Sequence, residues 1–150
     1  MGEPLFWAAL GVGLSVFMSV IGAAIGISIS APAIAGAGTE RPEIVSKSLI
    51  ATILAEAIAI YGLVVGLLSI FRLGTIGTNS DLGWKIFFSG LIMGVGAIAA
   101  GVGIGTSGSA LASATAEKPE LYSRAVVPAI LAEALAIYAF VAALLLVIIS

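Results

Sequence analysis

Apolar residues in this chain do not alternate with polar ones; they run together in four stretches, 5–31, 48–71, 86–107 and 125–149. Each reaches the about 20 residues that a helix needs to cross the hydrocarbon of a bilayer. Period-two alternation is absent, and inside a bilayer only helices or closed barrels satisfy their own backbone hydrogen bonds. The pattern predicts four transmembrane helices. Polar connections at 39–43, 72–85 and 117–120 all carry charge, and the first and third also carry proline, Pro42 and Pro119, which marks a loop. The first stretch has no basic segment before it and exceeds a signal peptide's apolar core, so it reads as a retained span.

The second half repeats the first at an offset of 77 residues. Leu54-Ala55-Glu56-Ala57-Ile58-Ala59-Ile60-Tyr61 returns as Leu131-Ala132-Glu133-Ala134-Leu135-Ala136-Ile137-Tyr138, with one position changed in eight. The same offset carries Arg41-Pro42-Glu43 onto Lys118-Pro119-Glu120, and Gly26-Ile27 onto Gly103-Ile104. Two hairpins are expected, 1–77 with spans 5–31 and 48–71, and 78–150 with spans 86–107 and 125–149. A unit of two spans returns the chain to the side where it began, so both copies face the same way across the membrane. The fold class is an all-α membrane protein of two tandem parallel-repeat hairpins. Head-to-tail contacts between like units close into rings, which makes the chain a candidate ring protomer.

Composition agrees with a bilayer and removes most chemistry. Hydrophobic residues are 61% and charged residues 9% of the chain, against about 25% charged in soluble domains. The net charge of −2 offers no patch for nucleic acid. Cysteine and histidine are absent, which excludes disulfides, thiol nucleophiles, Cys/His metal centres and imidazole catalysis. No metal site or cofactor is expected. Arg41, Lys47, Lys118 and Arg124 lie between spans one and two and between spans three and four, segments that the positive-inside rule places in the cytoplasm.

Spans one and three are rich in glycine. Gly22 with Gly26, Gly90 with Gly94, and Gly101 with Gly105 have the small-xxx-small spacing that lets membrane helices approach backbone to backbone. Those spans are expected as a crowded inner wall, with two and four outside; plain helix pairing explains the same glycines. Gly103-Ile104-Gly105-Thr106-Ser107-Gly108 matches the GxGxxG dinucleotide pattern, but that motif works only between a strand and a helix. Here it closes a membrane span.

Two carboxylates stand inside spans two and four. Holding a charge at that depth costs about 2.5–3.5 kcal/mol. Protonating a glutamate at pH 7 from an ordinary pKa near 4.3 costs about 3.7 kcal/mol. The costs are comparable, so Glu56 and Glu133 are poised to load and release a proton or another small cation. Alanines flank both, and neither span holds a basic partner. Tyr61 and Tyr138, five residues on, could donate to a carboxylate across a helix interface, and Thr52 lies on the helical face of Glu56. Against the carrier reading stand a hydrogen-bond clasp for the acids and simple packing for the tyrosines.

These residues resemble the duplicated proteolipid, the c-type or K subunit, of rotary vacuolar and archaeal-type ATPases. The resemblance spans the chain through the repeated hairpin, the glycine-rich spans, the Arg41-Pro42-Glu43 and Lys118-Pro119-Glu120 loops and the segment Ala59-Ile60-Tyr61-Gly62-Leu63-Val64-Val65. It implies a proton-translocating ring of like or related proteolipids in lipid, discharged beside an arginine of a stator subunit. The loops near 39–47 and 115–124 would grip a central stalk, and ATP hydrolysis would occur on other chains. It implies a multi-pass protein of a prokaryotic plasma membrane or a eukaryotic endomembrane such as the vacuole. Many duplicated members have lost one acid, whereas this chain keeps both. Sodium-binding members surround the acid with glutamine and hydroxyl ligands, but glutamine is absent here. A sodium-coupled rotor and a small proton-coupled cation transporter are the alternatives.

Overall fold

The computed structural model describes residues 3–77 and 80–149, and all regular structure among them is helical. Four helices are long and apolar enough to cross a membrane: α1 (Glu3–Glu40), α3 (Ile50–Leu73), α4 (Ser80–Glu117) and α6 (Val127–Ile148). Between them, two short helices, α2 (Val45–Ser48) and α5 (Tyr122–Ala125), each follow a single 3₁₀ turn. The hairpin boundary expected at 77/78 touches residue 78, which lies outside the described residues.

The repeat sets where the long helices stop. Proline disfavours the α conformation in the residue before it, and Arg41 and Lys118, before Pro42 and Pro119, adopt nearly the same extended backbone, φ −137° and −138°. Until that point nothing ends the helix. α1 and α4 therefore run well past the apolar limits at 31 and 107, and α4 begins at Ser80 rather than 86. Pro32 sits inside α1 and removes one internal hydrogen bond without ending it. At 38 residues each, both helices are about 57 Å long, nearly twice the about 30 Å of hydrocarbon. Part of each must stand in the interface or in water.

α1 and α4 form the central pair, running in the same direction. Gly11 meets Gly90, Gly22 meets Gly101 and Gly26 meets Gly105, so residue numbers rise together on both helices. The backbones touch along this seam: a Cβ on Gly101 would strike the carbonyl of Gly22, and one on Gly90 the carbonyl of Gly11. In lipid, packing of this kind replaces the hydrophobic effect as the force between helices. α3 folds back antiparallel on α1, and α6 on α4. Ser15 Oγ donates to the carbonyl of Gly62 at 2.9 Å, and Ser89 Oγ to that of Ala143 at 2.8 Å. A core of Ala55, Ile58, Val65, Met93, Ala97, Ile104 and Ala136 joins both hairpins. The dinucleotide-like glycines lie within α4, with no strand before them.

At the end opposite the proline turns, Trp7 stacks on Trp84 with centroids 4.5 Å apart, and Phe87 packs edge-on against Trp7. The two tryptophans are themselves repeat mates, and tryptophan favours the membrane–water interface.

Gly101→Leu is expected to destabilise the purified protein by about 1–3 kcal/mol or more, seen as a lower thermal unfolding midpoint in detergent. Gly36→Ala, where a Cβ meets nothing within 4 Å, should be neutral or slightly stabilising.

Candidate functional site

Both acids sit on the outer helices, Glu56 in α3 and Glu133 in α6. Alanine-rich stretches around them favour helix and leave room beside each carboxyl. Glu56 lies nine residues after Lys47 and sixteen before Arg72, about 13 Å and 24 Å of helical rise. Glu133 likewise follows Arg124 by nine residues. The acids are inside the apolar segment, nearer the end that carries the proline turns. Neither forms an ion pair with a described residue, and all six basic residues lie at loops or helix ends.

The two sites differ. Glu133 is half-buried between the hairpins, and the Tyr61 hydroxyl of α3 donates to its Oε1 at 2.6 Å. That is a short O–H···O hydrogen bond. Tyr61 is held in place from α6 as well, its ring stacking on Phe140 with centroids 5.3 Å apart and 30° between planes. Anchored on one hairpin, it satisfies the acid of the other. Glu56 is exposed, and no described residue hydrogen-bonds to it. Tyr138, the repeat mate of Tyr61, is 67% exposed and touches neither acid through a hydrogen bond.

The remaining candidates fall elsewhere. Thr52 donates its hydroxyl to the carbonyl of Leu49 at 2.7 Å, within its own segment, and not to Glu56. Gly22, Gly26, Gly90, Gly101 and Gly105 line the α1–α4 seam, and Gly94 faces Met18 and the carbonyl of Leu14 on α1. Phe140 and the Trp7–Trp84 pair are additions that sequence reasoning missed. The tryptophans were findable by the 77-residue offset. Phe140 was not, because Leu63 stands at its repeat position.

A carboxyl within an apolar helix can bind and release a small cation, and at Glu133 a tyrosine hydroxyl donates to that carboxyl. The profile of the family described as the C subunit of ATP synthase matches the chain twice, over residues 10–69 and 87–146. Both matches contain a glutamate and its tyrosine. The chain is similar to the 16 kDa proteolipid of the V-type proton ATPase of Homo sapiens, 37% identical over 94% of this chain and 90% of the human one. It is also similar to subunit c'' of the V-type proton ATPase of Saccharomyces cerevisiae, 32% identical over 96% of this chain and 71% of the yeast one. The Ascaris suum 16 kDa proteolipid is 34% identical over 94% of this chain and 89% of its own length.

Tyr61→Phe should raise the rate at which a hydrophobic carbodiimide modifies Glu133 by about two- to ten-fold, the worth of one hydrogen bond. Glu56 should keep its rate. Quantitative peptide mass spectrometry of detergent-solubilised protein reads both sites in one sample.

Proposed function

We propose, from the premise that this chain belongs to the family of ATP synthase C subunits, that it is the proton-carrying proteolipid of the membrane rotor of a V-type ATPase. The observation that carries this reading is the repeated acid. Glu56 and Glu133 occupy the same position in two stacked hairpins, on the outer helices, within the apolar segment and without a basic residue beside them. A structural clasp would require a permanent partner for each, and Glu56 has none among the described residues.

In this reading each acid crosses the lipid neutral and loaded. It releases its proton where a stator arginine and water lower the cost of the anion, and reloads from the opposite side. Tyr61 acts as a positioning residue that satisfies Glu133 while it waits unloaded. The chain carries no nucleotide chemistry; ATP is made or hydrolysed on other subunits, and this chain supplies the moving charge. Assembly into a ring with other ATPase subunits follows from the family. Loops 39–47 and 115–124 sit on the ends of α1 and α4 that outrun the hydrocarbon. This favours them as the grip for the central stalk on the cytoplasmic face, where Arg41, Lys47, Lys118 and Arg124 gather.

Proton coupling is preferred over sodium because sodium needs several oxygen ligands. Ala57 and Ala134 follow the acids, glutamine is absent, and the nearest hydroxyl in sequence, Thr52, is bonded to a main-chain carbonyl. Glu56→Gln and Glu133→Gln should each reduce ATP-driven acidification of sealed vesicles to background, since one site that cannot discharge stalls every turn. Normal pumping by either variant would remove that residue from the mechanism. Carbodiimide labelling should be unaffected by sodium at constant pH; protection by sodium would transfer the site to the sodium-coupled alternative.

A further inference from the structure

Resting on the reading of Glu133 as an ion-carrying acid, we infer that Phe140 is a positioning residue for that site. It holds the Tyr61 ring in the orientation whose hydroxyl reaches the carboxyl, and because it does so on hairpin two alone, it makes the two acids of the chain unequal. The argument begins on α6. Glu133, Ala136 and Phe140 stand at i, i+3 and i+7, a single stripe along one face of the helix. Ala136 is fully buried, and Tyr61 and Phe140 both pack against the core that contains it. A methyl group in the middle of the stripe leaves a slot about two helical turns long, with a carboxyl at one end and an aromatic ring at the other. Tyr61 of α3 spans it. Its hydroxyl donates to Glu133 Oε1 at 2.6 Å, and its ring lies on Phe140 with 5.3 Å between centroids and 30° between planes.

The two contacts have different effects. The backbone of α3 fixes where the tyrosine side chain starts, but rotation about its side-chain bonds can still send the hydroxyl elsewhere. A stacked neighbour favours one orientation of the ring, so the donor is already aimed whenever the carboxyl exchanges its ion. The repeat supplies its own comparison. On α3 the same stripe reads Glu56, Ala59 and Leu63: acid and alanine are kept, and the aromatic wall is lost. Between residues 56–63 and 133–140 three positions differ. Of these, Leu135 is 60% exposed and Ala139 lies against Gly96 of α4, which leaves Phe140 as the changed position in contact with the donor. Leucine has no flat face to fix a ring. Each chain thus brings two grades of acid to the rotor, one with a braced donor and one without such a brace on its own helix.

Carbodiimide labelling of the full-length protein in native membranes reads both acids at once. Phe140→Leu, which gives α6 the residue of its own repeat mate, should raise the labelling rate of Glu133 by about two- to ten-fold, the strength of an aromatic pair, and leave Glu56 unchanged. In a Tyr61→Phe background the same substitution should add nothing, because the donor it positions is gone. Phe140→Tyr, which keeps the ring, should keep the wild-type rate. Phe140→Ile repeats the test if Phe140→Leu does not accumulate in the membrane. A rise that persists without the Tyr61 hydroxyl, or that appears equally at Glu56, would reduce Phe140 to ordinary packing and overturn the inference, as would a Glu133 rate indifferent to loss of the ring. Failure of Glu133 to label at all in the wild-type protein would instead remove the carrier reading of that acid, and the inference with it.

Discussion

The contact on which the molecule depends is the backbone-to-backbone approach of α1 and α4. Gly22 and Gly101, and Gly11 and Gly90, leave no space for even a methyl group between the helices. That closeness draws the two hairpins together along their length, and only at that spacing can a side chain of α3 reach one on α6. Tyr61 on Glu133 is a consequence of the seam. A helix pair held apart by leucines would leave the acid facing lipid with nothing to satisfy it.

Duplication makes the two acids chemically alike and the fold makes them different. Both sit among alanines, one helical turn and a half before a tyrosine. Yet one chain has a single internal boundary between its hairpins, so one acid falls inside it and the other on the outer flank. The broken symmetry is a property of the isolated protomer. Glu133 is half-buried and accepts a hydrogen bond from Tyr61, whereas Glu56 is exposed.

The long helices serve a second purpose. Their apolar parts are enough to span the membrane, while the Ala-, Gly- and Ser-rich extensions at 32–40 and 108–117 lift the proline turns and their charges away from it. The hairpins that carry the acids and the proline turns are thereby joined through one pair of long helices.

Four membrane helices, their duplication and the two acids were legible in the sequence. Each follows from a local property: length of an apolar run, identity at a fixed offset, or a charge where charge is costly. The extent of α1 and α4 was not legible, because apolarity reports where a helix meets lipid and says little about where it stops. In both, the stop is the conformation imposed on Arg41 and Lys118 by the proline that follows. Which tyrosine serves which acid was also beyond the sequence. Spacing alone treats Tyr61 and Tyr138 alike: either could donate across a helix interface, and nothing in it says to which acid. Only the register between parallel helices, set by glycine contacts far along the chain, sends Tyr61 across to Glu133 and brings Phe140 against its ring, while Thr52 bonds locally to its own backbone.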